Sequence, residues 1–121
     1  SGTNFPQTVT HILQKAFSKH ALGLMVELEG RYNITSNRES GFGRYDVVLE
    51  PLGERDDGII IEFKVRDPRK ENSLEDTVQT ALQQIRKQQY ALILKTQGIP
   101  ENRIRSYGFA FEGKRVLIGE E

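Results

Sequence analysis

The chain has 121 residues, of which 17 are Lys or Arg and 17 are Asp or Glu, giving a formal net charge of zero. That length makes one domain with room for a true core, and the even charge argues against an unselective nucleic-acid binder held by a wholly basic surface. With 36 % hydrophobic residues, 28 % charged residues and no cysteine, it reads as a soluble globular domain without disulfide or thiolate chemistry, as a cytoplasmic setting favours.

Ser1-Gly2-Thr3 has the character of a cloning remnant, so residues 1–121 read as a single domain cut from a longer protein. No signal-peptide pattern opens the chain. The longest apolar runs, Ile59 to Ile61 and Ala91 to Leu94, are too short to span a bilayer. Residues 7–28 place Val9, Ile12, Leu13, Ala16, Phe17, Leu24 and Leu28 at helical spacing, which predicts an opening helix fraying near Gly23 or Gly30. Tyr32 to Ser36 reads as a short strand, and Asn37 to Gly43, with two glycines around Phe42, as a turn. Arg44 to Glu50 alternates as a strand, Pro51 to Asp57 is a polar connection, and Gly58 to Val65 is the most buried strand.

Ser73-Leu-Glu-Asp76 starts a helix by the Ser-x-x-acid pattern. Its apolar phase runs through Val78, Ala81, Leu82 and Ile85, then breaks near Gln88-Gln89-Tyr90, which predicts a kink or restart before an end at Gly98. Ser106 to Glu112 and Arg115 to Gly119 alternate around Glu112-Gly113-Lys114, a hairpin. The order α, β, β, β, α, β, β implies an α/β fold of the α+β kind, a mixed sheet flanked by helices.

Glu62 and Lys64 are the odd feature of the central strand. Successive strand side chains alternate faces, so these two point one way and Ile59, Ile61, Phe63 and Val65 the other. Charges in so apolar a strand cost free energy unless something uses them. A symmetric hairpin between residues 44–50 and 58–65 sets Asp46 opposite Glu62, with Cβ atoms about 4.5–5.5 Å apart. Two carboxylates so placed repel. A shared proton, Lys64 on the diagonal, or a divalent cation would relieve them, and oxygen ligands at that separation suit Mg²⁺ or Mn²⁺. The plainer alternative is a solvated Glu-x-Lys pair contributing little. Local basic patches are offered by Arg38 with Arg44, by Arg66 with Arg69 and Lys70, and by Arg86 with Lys87.

Four blocks together carry a resemblance: Ser36-Asn-Arg-Glu-Ser-Gly-Phe-Gly-Arg-Tyr-Asp46, Ile59-Ile-Ile-Glu-Phe-Lys64, Ala81-Leu-Gln-Gln-Ile85 with Tyr90, and Tyr107-Gly-Phe-Ala-Phe111 with Gly113-Lys114. Over residues 12–119 the chain resembles the PD-(D/E)XK nuclease superfamily, in the branch found C-terminal to AAA-ATPase-like domains in bacterial proteins. The resemblance implies a restriction-endonuclease-like αβββαβ core and a metal-dependent nuclease hydrolysing phosphodiester bonds of DNA. It implies that Asp46, Glu62 and the backbone carbonyl of Phe63 hold Mg²⁺ (or Mn²⁺), and that Lys64 positions or activates water and stabilises charge on the phosphate. Glu39 and Gln84 resemble auxiliary residues of the site, and Arg38 and Arg44 are candidate phosphate contacts. The chain departs from the family pattern at Phe17-Ser18, where many branch members carry Tyr-His, and it has no acid before Glu27; His11 and His20 read as surface or packing residues rather than ligands. The alternative from a different class is a catalytically silent nuclease-like module that binds nucleic acid or a protein partner, coupled to an adjacent ATPase domain. A homodimer of junction-resolvase type, two copies making two cuts, is a further expectation, as is the absence of a membrane partner.

Overall fold

The structure is a computed structural model that describes residues 30–38 and 44–121, with backbone only for 36–38 and 45. The expected opening helix, His11, His20, Phe17-Ser18 and Glu39 lie outside the described residues. Five strands form one sheet in the order β1-β2-β3-β4-β5: β1 (Tyr32–Arg38), β2 (Arg44–Pro51), β3 (Gly58–Val65), β4 (Ile104–Glu112) and β5 (Arg115–Glu120). Adjacent pairs are antiparallel except β3 and β4, which run parallel and are joined by α1 (Leu74–Gln88), α2 (Tyr90–Thr96) and a 3₁₀ turn at Glu101–Arg103. A parallel pair needs such a crossover, because a tight turn returns the chain antiparallel. The result is the expected mixed sheet with helices packed on it, consistent with a restriction-endonuclease-like fold.

β1 is longer than its sequence pattern predicts. Asn37 and Arg38 pair with Asp46 and Tyr45, so the ladder continues two residues into the stretch whose composition reads as a turn. Cross-strand backbone hydrogen bonding outweighs local turn preference there.

The two faces of the sheet differ. Ile59, Ile61 and Phe63 of β3 join Tyr32, Leu49, Tyr107 and Phe109 in one buried cluster. Ile60 joins Leu74, Val78, Leu82, Ile85 and Leu94 of the helices in the other. Even-numbered positions of β3 therefore face α1 and α2. Glycines let α1 lie close on that face: a Cβ at Gly108 would sit 3.0 Å from the Val78 carbonyl oxygen and 3.2 Å from the Ala81 Cβ.

α1 begins as its sequence predicts. The Ser73 hydroxyl accepts from the Asp76 N–H at 3.2 Å, and the Asp76 carboxylate accepts from the Asn72 N–H at 3.0 Å. Its end is set by Gln89, whose φ of 57° and ψ of 33° are left-handed, a conformation that costs a residue with a Cβ about 1–2 kcal/mol. That single residue breaks the helix where the apolar phase breaks, and α2 restarts at Tyr90. No helix among the described residues is long and apolar enough to cross a membrane.

Candidate active site

The hairpin register is the one that symmetry predicts: Asp46 lies opposite Glu62 and Arg44 opposite Lys64. All four residues thus share the face that the helices cover. Asp46 is 1 % exposed and Glu62 is fully buried. A lone buried carboxylate is costly, and two side by side more so, because each loses its hydration and the two charges repel. The solvated surface pair is excluded by that burial.

Neighbours on several elements meet these acids. Tyr90, the first residue of α2, donates its hydroxyl to Asp46 Oδ2 at 2.7 Å. Arg44 Nη2 lies 3.5 Å from Glu62 Oε1, an ion pair across the hairpin. The second Asp46 oxygen, Oδ1, is buried and has no hydrogen-bond partner among the described residues. Buried polar atoms are nearly always paired, so an orphaned carboxylate oxygen beside a second acid points to a ligand that the described residues do not supply.

Lys64 goes elsewhere. Its ammonium lies 3.0 Å from Glu71 Oε1 and 2.9 Å from Oε2, and 3.3 Å from the Val65 carbonyl. Glu71 is itself buried, accepting from the Asp67 N–H at 2.8 Å and the Thr77 hydroxyl at 3.0 Å. Burial alone would raise its carboxyl pKa; the Asp67 N–H, Lys64, Thr80 and Thr77 together outweigh it and hold the carboxyl below its ordinary value. Donors from the loop, from β3 and from α1 converge on one carboxylate, which is thereby held ionised.

A cleft of about 760 Å³ opens beside this cluster, lined by Arg44, Lys64, Arg66, Arg69, Lys70 and Glu71 among others. Arg66 is pinned by the Glu112 carboxylate and by the Glu71 carbonyl at 3.1 Å. Arg69 and Lys70 are exposed and make no ion pair among the described residues. Two of the patches visible in the sequence, around Arg44 and around Arg66, are thereby one surface. Neutral net charge conceals a local concentration of cations.

Of the remaining candidates, Phe63 lies between Glu62 and Lys64 on β3, its ring in the opposite-face cluster. Arg38 pairs its backbone with Tyr45 at the end of β1; its side chain is outside the described residues, as is Glu39. Gln84 is half-buried on α1, and its side chain makes no hydrogen bond among the described residues. Sequence reading gave Tyr90 no role of its own and missed Glu71 entirely. Tyr90 carried a signal, the phase break that precedes it. Glu71 carried none, being one acid in a polar stretch.

Among the described residues no group of three or more His, Cys, Asp and Glu side chains is arranged to hold a metal ion. The donor set is smaller: two buried carboxylates of adjacent strands, with a main-chain carbonyl between Glu62 and Lys64. Hard oxygen donors of that kind fit a divalent cation such as Mg²⁺, which keeps several of its waters. A family model described as the PD-(D/E)XK nuclease superfamily matches residues 14–121. No curated protein and no solved structure gives a match.

Proposed function

The chain belongs to the PD-(D/E)XK nuclease superfamily, and from that premise we propose that it is a divalent-metal-dependent nuclease domain that hydrolyses phosphodiester bonds of DNA. The observation that carries this reading is the buried Asp46 opposite Glu62, with Asp46 Oδ1 left without a partner among the described residues. Asp46, Glu62 and the Phe63 carbonyl are the residues that would hold Mg²⁺ or Mn²⁺. When bound, the ion would supply polarisation of a phosphoryl oxygen and a bound water more acidic than bulk water.

The chain's own residues do the rest. Tyr90 fixes Asp46 through Oδ2 and leaves Oδ1 for the cation. The Lys64 ammonium, on the same strand face as Glu62, stabilises negative charge that develops on the phosphate. Arg44, Arg69 and Lys70 bind backbone phosphates along the cleft and set the strand in register with the acids. We assign Glu39 and Gln84 auxiliary places beside the ion, and Arg38 a phosphate contact alongside Arg44. A neighbouring AAA-ATPase-like domain in the same protein and a homodimer making paired cuts belong to the same proposal.

The test is incubation with linear, nicked, single-stranded and branched DNA, with Mg²⁺ or Mn²⁺ or with chelator. Cleavage that needs the ion and falls about 10²–10³-fold in Glu62→Ala and in Lys64→Ala is the expected result. Cleavage that both substitutions leave untouched would sink the site assignment. A second reading is a silent nuclease-like module coupled to the ATPase domain. It is favoured by the small donor set, two acids and no third among the described residues. No cleavage of any substrate, with no heat of Mg²⁺ binding in calorimetry, would decide for it.

A further inference from the structure

Lysine carries its charge on a flexible four-carbon stem, and leaving such a stem free wastes the electrostatic advantage of a fixed cation. Here the stem is not free. Both oxygens of Glu71 and the Val65 carbonyl engage the Lys64 ammonium, enough acceptors for its three N–H donors. Glu71 lies seven residues beyond Lys64, across the Arg66 to Lys70 loop, and is 4 % exposed.

The same residue closes that loop. The Asp67 N–H donates to its carboxylate, and Arg66 Nε donates to its carbonyl. The Lys70 and Glu71 N–H groups return to the Asp67 carbonyl at 3.1 and 2.9 Å. The Arg69 N–H donates to Asp67 Oδ1 at 3.0 Å. The loop is wound round one carboxylate, and Arg69 and Lys70 project from it into the cleft that Lys64 lines.

We propose that Glu71 is the positioning residue for Lys64, and that the loop it organises, residues 66–71, forms a basic wall that grips the nucleic-acid backbone beside the scissile phosphate. This rests on the nuclease reading above. One buried carboxylate thus sets two distances, that of the catalytic cation from the acids and that of the gripping cations from the catalytic one. An acid serving only to hold a loop would need neither both oxygens on Lys64 nor a cleft shared with it.

The experiment compares the whole chain with Glu71→Gln, which keeps shape and acceptor while removing charge, and with the double variant Arg69→Ala/Lys70→Ala. In steady-state cleavage, Glu71→Gln is expected to lower kcat about 10–100-fold with little change in KM. The double variant is expected to raise KM with kcat preserved. Calorimetric Mg²⁺ affinity is expected to be unchanged in Glu71→Gln. A nitrogen-detected spectrum of the lysine ammonium groups supplies a readout independent of cleavage. It should show one slowly exchanging resonance, absent from Lys64→Arg and lost in Glu71→Gln. If Glu71→Gln does not fold, Thr77→Val, which removes one hydrogen bond from the carboxylate, is expected to broaden that resonance and lower kcat less steeply. A parent chain that cleaves nothing overturns the nuclease reading while the resonance still decides whether Glu71 holds Lys64. An unchanged resonance with unchanged kcat in Glu71→Gln overturns the proposal made here.

Discussion

Glu71 shows how one residue's ionisation enters stability. Its carboxyl pKa is held below the ordinary 4.5, against the upward push of burial, by the Asp67 N–H, Lys64, Thr80 and Thr77. A lowered folded-state pKa means that the unfolded chain takes up the proton first as pH falls. The stabilisation is therefore whole above the ordinary value and is lost as pH drops through the lower, folded value. Urea unfolding at neutral pH is expected to find Glu71→Gln less stable than the parent, and the gap is expected to close well below pH 4.5. A gap that persists there would mean that shape, not charge, is what Glu71 contributes. At this scale the sequence is legible only where pattern and residue type conflict. Glu62 and Asp46 announce themselves by charge on buried strands. Glu71 does not, because its burial is made by a loop whose path no periodicity encodes.

At the scale of elements, the β2–β3 hairpin is the most legible part, since the apolar alternation and a symmetric connection together fix its register. The length of β1 is the least legible, because its last two residues are held by their partners and not by their own propensity. The α1–α2 junction falls between. Helical phase locates the break, while the left-handed Gln89 that makes it is invisible without coordinates. Glycine tolerates that conformation without the Cβ penalty but loses more chain entropy on folding. Gln89→Gly is expected to gain about 0.5–1 kcal/mol net, read as a higher midpoint in chemical denaturation. A loss instead would show that the Gln89 side chain holds the junction, and with it the placement of Tyr90 on Asp46.

For the whole molecule, zero net charge and a basic cleft have a joint consequence for nucleic-acid affinity. Each phosphate contact contributes about −0.9 to the slope of log K against log salt on duplex DNA. The three cleft cations Arg44, Arg69 and Lys70 predict a shallow slope of about −3, and Arg69→Ala/Lys70→Ala is expected to flatten it by about 2. Fluorescence anisotropy across a salt series checks both; a slope much steeper than this would place the principal contacts outside the cleft. The topology also orders events in time. Asp46 and Glu62 close on each other within one hairpin, whereas Tyr90 is 44 residues from Asp46 and arrives only once the crossover to β4 is made. Contacts distant along the chain wait on loop-closure entropy that neighbouring strands scarcely meet. A chain whose hairpin closes first would press the two carboxylates together before the Tyr90 hydroxyl reaches Asp46, and their repulsion would slow the route to the native state. Stopped-flow refolding is expected to quicken with added Mg²⁺ and to lose that dependence in Asp46→Asn, so that the ion proposed for the chemistry also acts as a chaperone for the strands that hold it.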